Sequence, residues 1–376
     1  MKRNRNVDIL RGMAILIIIG YHCYVLCGTP WMEHHRLHAL MSFGGEFGVT
    51  LFFVLSGFGI FWSLYRKESI GKMPGWCGFM KQRCLRIMPQ YYCCIGLLLV
   101  FQSAALIGKD GVRHILSYLF FVQNLSVSTH GSINGALWAM ATIFQFYLIA
   151  LFLYRLVRKK WILTSGAAAV ITIGSKILIY HWILPGFQAE GSAYFVYGRQ
   201  LISALDNFVF GMAAARVVLT VNEKKSVPSH TITGVLGTVL SAAGLLGVSY
   251  KLSVNGIYGD SVLAYTGHTM LALLLAVLVV CVSLLPQCSG KLSDIFAFLA
   301  KYQYGMYLWH MPMIGFLYQG SPAFQWLWQV NFVVFAAVMT AVVIFVAFFM
   351  TNWVDSMDYS VWLTRLRRKQ AGSGKE

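Results

Sequence analysis

The sequence predicts an all-α integral membrane protein with about ten transmembrane helices and both termini cytoplasmic. Three observations carry this. Of the 376 residues, 58% are hydrophobic and only 11% charged, where soluble domains carry about 25% charged residues. Apolar runs of about 20 residues recur without an alternating ten-residue pattern, which selects helices over a barrel. In hydrocarbon, helices also satisfy their own backbone hydrogen bonds. Finally, the net charge of +17 is distributed as the positive-inside rule requires. The basic residues are therefore topology determinants, and no nucleic-acid partner is expected.

The spans fall near 9–27, 46–64, 89–107, 136–154, 162–182, 200–219, 231–250, 266–286, 298–317 and 328–350. Inner segments then hold Lys2, Arg3 and Arg5, Arg66 to Arg86, Arg155 to Lys160, Arg216 to Lys225, and Arg365 to Lys375. Outer loops hold only Arg36, Lys109, Arg113, Arg199 and Lys251. The organisation is one membrane domain over 1–360 and a basic cytoplasmic tail over 361–376, attracted to anionic lipid. The first segment carries Asp8 and Arg11 and lacks a small-residue cleavage site, so it reads as a retained anchor. Ile115 to Leu125 is apolar but too short to span, and is expected to be re-entrant or interfacial. The eight cysteines form no disulfide framework, and no Cys/His cluster has metal-ligand spacing.

Ionisable residues inside spans are the candidates for chemistry. In the first span, Arg11 and His22 are eleven residues apart. That spacing advances about 16 Å and returns to within about 20° of one helix face. Arg11 suits phosphate or carboxylate; His22 suits a general base or nucleophile; Asp8 can pair with Arg11. In the second span, Ser56-Gly57 permits close helix approach, and Glu46 sits at its outer end, at a depth like that of His22. Before the third span, Arg83 and Arg86 share a helix face, and Pro89 is expected to break or kink the chain there. In the ninth span, His310 lies among Tyr302, Tyr304, Tyr307 and Trp309, two residues before Pro312; a cavity wall is one reading, a satisfied core histidine the other.

Taken together, these segments resemble the membrane acyltransferase-3 family. Arg11 and His22 match its Arg-x10-His signature. Phe52 to Phe58 match Phe-Phe-x-Leu-Ser-Gly-Phe. Arg83 to Tyr91 match Arg-x-x-Arg-Ile-x-Pro-x-Tyr, and Tyr304 to Pro312 match Tyr-x-x-Tyr-Leu-x-His-x-Pro. The resemblance runs through most of the chain. It implies O-acylation of a cell-envelope carbohydrate at the cell membrane, with acetyl-CoA or another acyl-CoA as donor and no bound cofactor. It also implies His22, Arg11 and Glu46 as catalytic residues and Arg83, Arg86 and Tyr91 at the donor. Asp8, Trp138, Gln145, Tyr307 and His310 would line the substrate cavity. One departure stands out. Where many members carry Leu-Trp-Ser-Leu-x-x-Glu, this chain reads Leu137 to Ile143, with Ile143 at the glutamate position. Gln145 can hydrogen-bond but cannot carry a proton, and Glu46 would substitute if its loop folds toward His22.

Two rival classes fit the same composition. One is a transporter or flippase of an envelope glycan, although no paired repeats or broken helices in both halves are found. The other is a non-catalytic acyl- or glycan-binding module. Turnover of acyl-CoA separates the enzyme from the module, and a change in glycan mass separates it from the transporter.

Overall fold

The computed structural model describes residues 4–27, 38–101, 110–186, 190–223, 227–255 and 261–357; the basic tail over 361–376 lies outside them. The described residues are helical, without strands. In chain order the helices are α1 (Arg5–Cys27), α2 (His38–Ser69), α3 (Trp76–Phe101), α4 (Gly111–Leu119), α5 (Trp138–Leu178), α6 (Glu190–Tyr197), α7 (Leu205–Glu223), α8 (Val227–Asn255), α9 (Val262–Leu284), α10 (Lys291–Gly320), α11 (Pro322–Val330) and α12 (Phe332–Ser356).

Eight stretches of the described residues are long and apolar enough to cross a membrane. The two further spans expected from the sequence have identifiable places. Residues 138–183 count as a single stretch, but Lys160 leaves helical geometry, with φ −136° and ψ 58°. Thr142 and Thr172 would be about 45 Å apart on a straight helix. Yet Thr142 bonds the Arg199 carbonyl and Thr172 the Ile202 carbonyl, only three residues on. The chain therefore doubles back at Lys160, between two of the expected spans. Helix α10 falls short on apolarity because it carries Lys301, Gln303 and His310; the first two line a cavity and His310 is buried.

Polar pairings tie one end of the bundle together. Arg5 meets Asp294 at 3.2 Å, and Asn6 Nδ2 donates to the carbonyls of Val282, Leu285 and Pro286. Glu68 accepts from Tyr154 and Arg158, and Tyr65 donates to Glu223. This is the Lys/Arg-rich end that charge asymmetry assigns to the cytoplasm. On the flanks, Val239, Leu240, Val333 and Phe345 are exposed, as expected of side chains that meet lipid rather than water.

Helices α2 and α7 cross closely because each contributes a glycine. A Cβ on Gly57 would overlap the Phe208 carbonyl, and one on Gly211 the Val54 carbonyl. Phe208 stacks on Phe53 and Phe146 beside this crossing, with ring centroids 4.7 and 4.2 Å apart. Gly57→Val should therefore cost about 1–3 kcal/mol or more by overpacking. Gly96→Ala, with open space around it, should be close to neutral. Thermal unfolding in detergent reads the difference; equal midpoints for the two variants would refute the close crossing.

Helix α3 runs unbroken from Trp76 through Pro89. The break expected at the proline, and the amides it would free, are therefore absent. Thirteen helical residues precede Pro89, so Arg83 and Arg86 are held on a helix rather than in a loop.

Candidate active site

Two cavities lie along α1, one near each charged or imidazole side chain. The inner one, about 260 Å³, is lined by Arg11, Arg83, Arg86 and Lys301, with Phe52, Ser56, Ile143, Tyr147 and Tyr304. It has four cations and no acid among its lining residues. Arg83 is held by the rings of Phe79 and Tyr147, 5.1 and 5.8 Å from its guanidinium carbon. Gly59 makes room for Arg11, since a Cβ there would sit 2.9 Å from Nη2. Asp8 pairs with Arg11 at 3.3 Å, and both line a wider inner vestibule of about 710 Å³ with Trp62, Arg66, Lys67 and Glu223. A cationic pocket at the inner end suits a phosphorylated ligand, because guanidinium groups bind phosphate oxygens bidentately.

The outer cavity, about 280 Å³, is lined by His22, Glu46, His130, Trp138, Phe195, Arg199 and Tyr307, among others. Here α1 and α10 bring two histidines together. His22 Nδ1 lies 2.8 Å from the Ile18 carbonyl and 3.3 Å from His310 Nε2. His310 Nδ1 lies 2.8 Å from the Tyr307 carbonyl. A carbonyl only accepts, so each Nδ1 carries the proton. That leaves a lone pair on His310 Nε2, facing the Nδ1–H of His22. It also leaves a lone pair on His22 Nε2, the arrangement a general base requires.

Glu46 belongs to helix α2, not to a loop as expected. It is 7% exposed, forms an ion pair with Arg199, and lies 3.2 Å from His268 Nε2. The Arg199 guanidinium sits over the rings of Phe195 and Trp138, at 3.5 and 5.0 Å. The carboxylate thus shares the cavity with His22 but is already engaged by a cation and an imidazole.

Three sequence-based assignments change. His310, expected to line the substrate cavity, lines neither cavity and is buried against His22. Tyr91 lines neither cavity. It is buried, donates to the Tyr118 carbonyl at 3.1 Å, accepts from Gln123 and stacks on Phe121. Gln145 is likewise committed to the Phe121 carbonyl and to Asn124. Both fasten the segment containing α4, which at nine residues is too short to span. Apolar spacing cannot distinguish a tyrosine facing a cavity from one clamping a loop. Ile143, at the glutamate position of many family members, lines the inner cavity and not the outer one.

Several polar residues escaped the sequence reading: His130, Arg199, His268, and the buried Lys176 and Asp206. Asp206 accepts from Thr269 Oγ1 at 2.5 Å and from the Asn207 amide at 2.8 Å. Lys176, Asp206 and His268 are ionisable residues inside apolar runs, which was the available signal. Arg199 read only as an outer-loop charge.

His130, on the loop before α5, is flanked by Trp138 and Phe195. Burial pushes its imidazole down from 6.5 to about 4. Between those values the unfolded chain binds a proton that the folded chain refuses, so stability falls as pH drops through that window. His130→Asn should flatten this part of the thermal-unfolding pH profile; an unchanged profile would remove His130 as its source.

A multi-pass bundle with a cationic pocket at one end and a histidine-lined pocket at the other defines a membrane-embedded transferase domain. A family model described as an acyltransferase domain matches residues 4–351, and the chain belongs to that acyltransferase family. Among curated relatives, the O-acetyltransferase OatA of Staphylococcus aureus (strain NCTC 8325 / PS 47) is 24% identical over 341 residues, covering 83% of this chain and 50% of its own. The peptidoglycan O-acetyltransferase OatA of Listeria monocytogenes serovar 1/2a is 25% identical over 329 residues, covering 82% and 49%. An O-acetyl transferase of Shigella phage Sf6 is 30% identical over 161 residues, covering 40% and 45%. The chain spans about half the length of the curated relatives it matches. No solved structure matches.

Proposed function

We propose that this domain moves an acyl group, acetyl in the first instance, from an acyl-CoA thioester on the inner side to a hydroxyl of an envelope carbohydrate on the outer side. The observation that carries the reading is the pair of cavities: a phosphate-suited pocket at Arg11, Arg83, Arg86 and Lys301, and a base-lined pocket at His22. The names of the relatives support acetyl as the group, and the Listeria relative supports a peptidoglycan-like acceptor.

In this reading the arginines hold the donor's phosphates. His22 Nε2 takes the proton of the acceptor hydroxyl as its oxygen attacks the thioester carbonyl. The carbon–sulfur bond breaks, the ester carbon–oxygen bond remains, and the thiolate recovers the proton from His22 as free thiol. While His22 is cationic, its Nδ1–H is shared between the Ile18 carbonyl and the His310 Nε2 lone pair. His310 then orients His22 as the carboxylate does in a Ser-His-Asp triad, without the carboxylate's negative charge.

Mass spectrometry of envelope glycans tests this in source cells lacking the protein, complemented with wild type or with His22→Ala. The expected result is an acetyl-sized increment restored by wild type alone. Equal masses in all strains, with glycan accumulating on one side of the membrane, would instead favour the transporter; equal masses without redistribution would favour the binding module.

A further inference from the structure

We propose that the stacked rings of Phe52 and Tyr307 form the aperture between the two cavities, and that this aperture limits the size of the acyl group transferred. The inference rests on the proposed donor and acceptor sides.

The two cavities share no lining residue. Phe52 lines the inner one and Tyr307 the outer one, and their rings stack at 5.5 Å between centroids, 16° from parallel. Both residues are buried. They therefore stand where the cationic pocket abuts the histidine pocket. Arg11 and His22 are separated by about 16 Å of helix, so a donor whose phosphates stay at the arginines reaches His22 only if its thioester arm passes outward from one pocket to the other.

The two rings are held differently. The Tyr307 hydroxyl donates to the Ala136 carbonyl at 2.5 Å, which pins that ring to the chain leading into α5. Phe52 has no polar atom on its side chain and is anchored only through packing. Its ring is the one that can swing aside by a local rotamer change. The gap such a swing opens is bounded by Tyr307, so a small acyl group passes and a longer chain meets the fixed ring. Hydrophobic sites discriminate between substrates differing by one methylene by about 10–200-fold, which sets the scale of the effect.

The test uses membrane vesicles from source cells that lack the chromosomal copy and carry wild type, Phe52→Leu, Phe52→Ala or Tyr307→Leu. These vesicles contain the native acceptor. Each is supplied with radiolabelled acetyl-CoA or butyryl-CoA, and label in the glycan is counted. The readout is the butyryl-to-acetyl ratio, which is independent of how much protein accumulates. The expected ratio rises about tenfold or more in the Phe52 variants and in Tyr307→Leu. An unchanged ratio in variants that still transfer acetyl overturns the aperture. So does loss of both transfers in both Phe52 variants with protein present, since a widened aperture must still pass acetyl. If wild type itself transfers no acetyl label, the donor assignment of the proposed function fails instead.

Discussion

Replacing His22 by alanine is expected to lower acyl transfer by about a hundredfold to ten-thousandfold, the range general-base catalysis contributes, while leaving the protein folded. The tautomer argument makes the expectation specific. His22 Nδ1–H is committed to Ile18 and faces His310, so the base is Nε2. His22→Gln should not restore the rate, because an amide nitrogen accepts no proton. His310→Ala should leave KM for acyl-CoA near its wild-type value, since His310 lines neither cavity, and should lower kcat by removing an acceptor from the imidazolium. Steady-state rates on purified protein measure all three. A fully active His22→Ala would end the role of His22, and an acyl-CoA KM raised by His310→Ala with kcat intact would place His310 at the donor instead.

The second large effect is expected at Glu46. Its carboxylate is buried with Arg199 and His268, and breaking a buried ion pair from one side costs about 3–5 kcal/mol. Glu46→Gln should therefore lower the thermal midpoint in detergent markedly. Removing both charges, in Glu46→Gln with Arg199→Met, should recover much of that loss, because the uncompensated guanidinium is gone. The stability of the double variant separates two roles for Glu46. If it is as stable as wild type but inactive, the pair serves the reaction or the acceptor. If the single variant is as stable as wild type, the pair contributes nothing to the fold.

These residues also mark what the sequence made legible. Arg11, His22, Arg83, Arg86 and His310 each stood out as a charge or imidazole inside or beside an apolar run; α1 and α3 bring the first four to two adjoining cavities, and α10 sets His310 against His22. The spans were legible because lipid imposes length and apolarity. The reversal at Lys160 was legible from the basic cluster around it, although hydropathy alone fuses the two halves of α5. Pairings across long sequence separation were not legible. Glu46 and Arg199 are 153 residues apart, and nothing local to either announces the other. Tyr91 and Gln145 were misread for the converse reason. Tyr91 sits in a segment that matches the family pattern and Gln145 beside the one that departs from it, yet the hydrogen-bonding groups of both are spent on the segment at 118–124, a commitment that only tertiary structure reveals.

The polar fastening of α1 has a consequence for biosynthesis. Asn6 caps carbonyls at the end of α9, Gly12 packs against Phe296, and His22 meets His310. Helix α1 thus finds these partners 276 to 288 residues later in the chain. Until α9 and α10 are inserted, Asp8, Arg11 and His22 wait in the bilayer without the surroundings that make them tolerable there. The candidate site is completed only once α10 has been made; a chain halted before it leaves α1 packed on α2, where Gly45 and Gly48 meet Tyr21 and Ile18, but without its α10 partners Phe296 and His310.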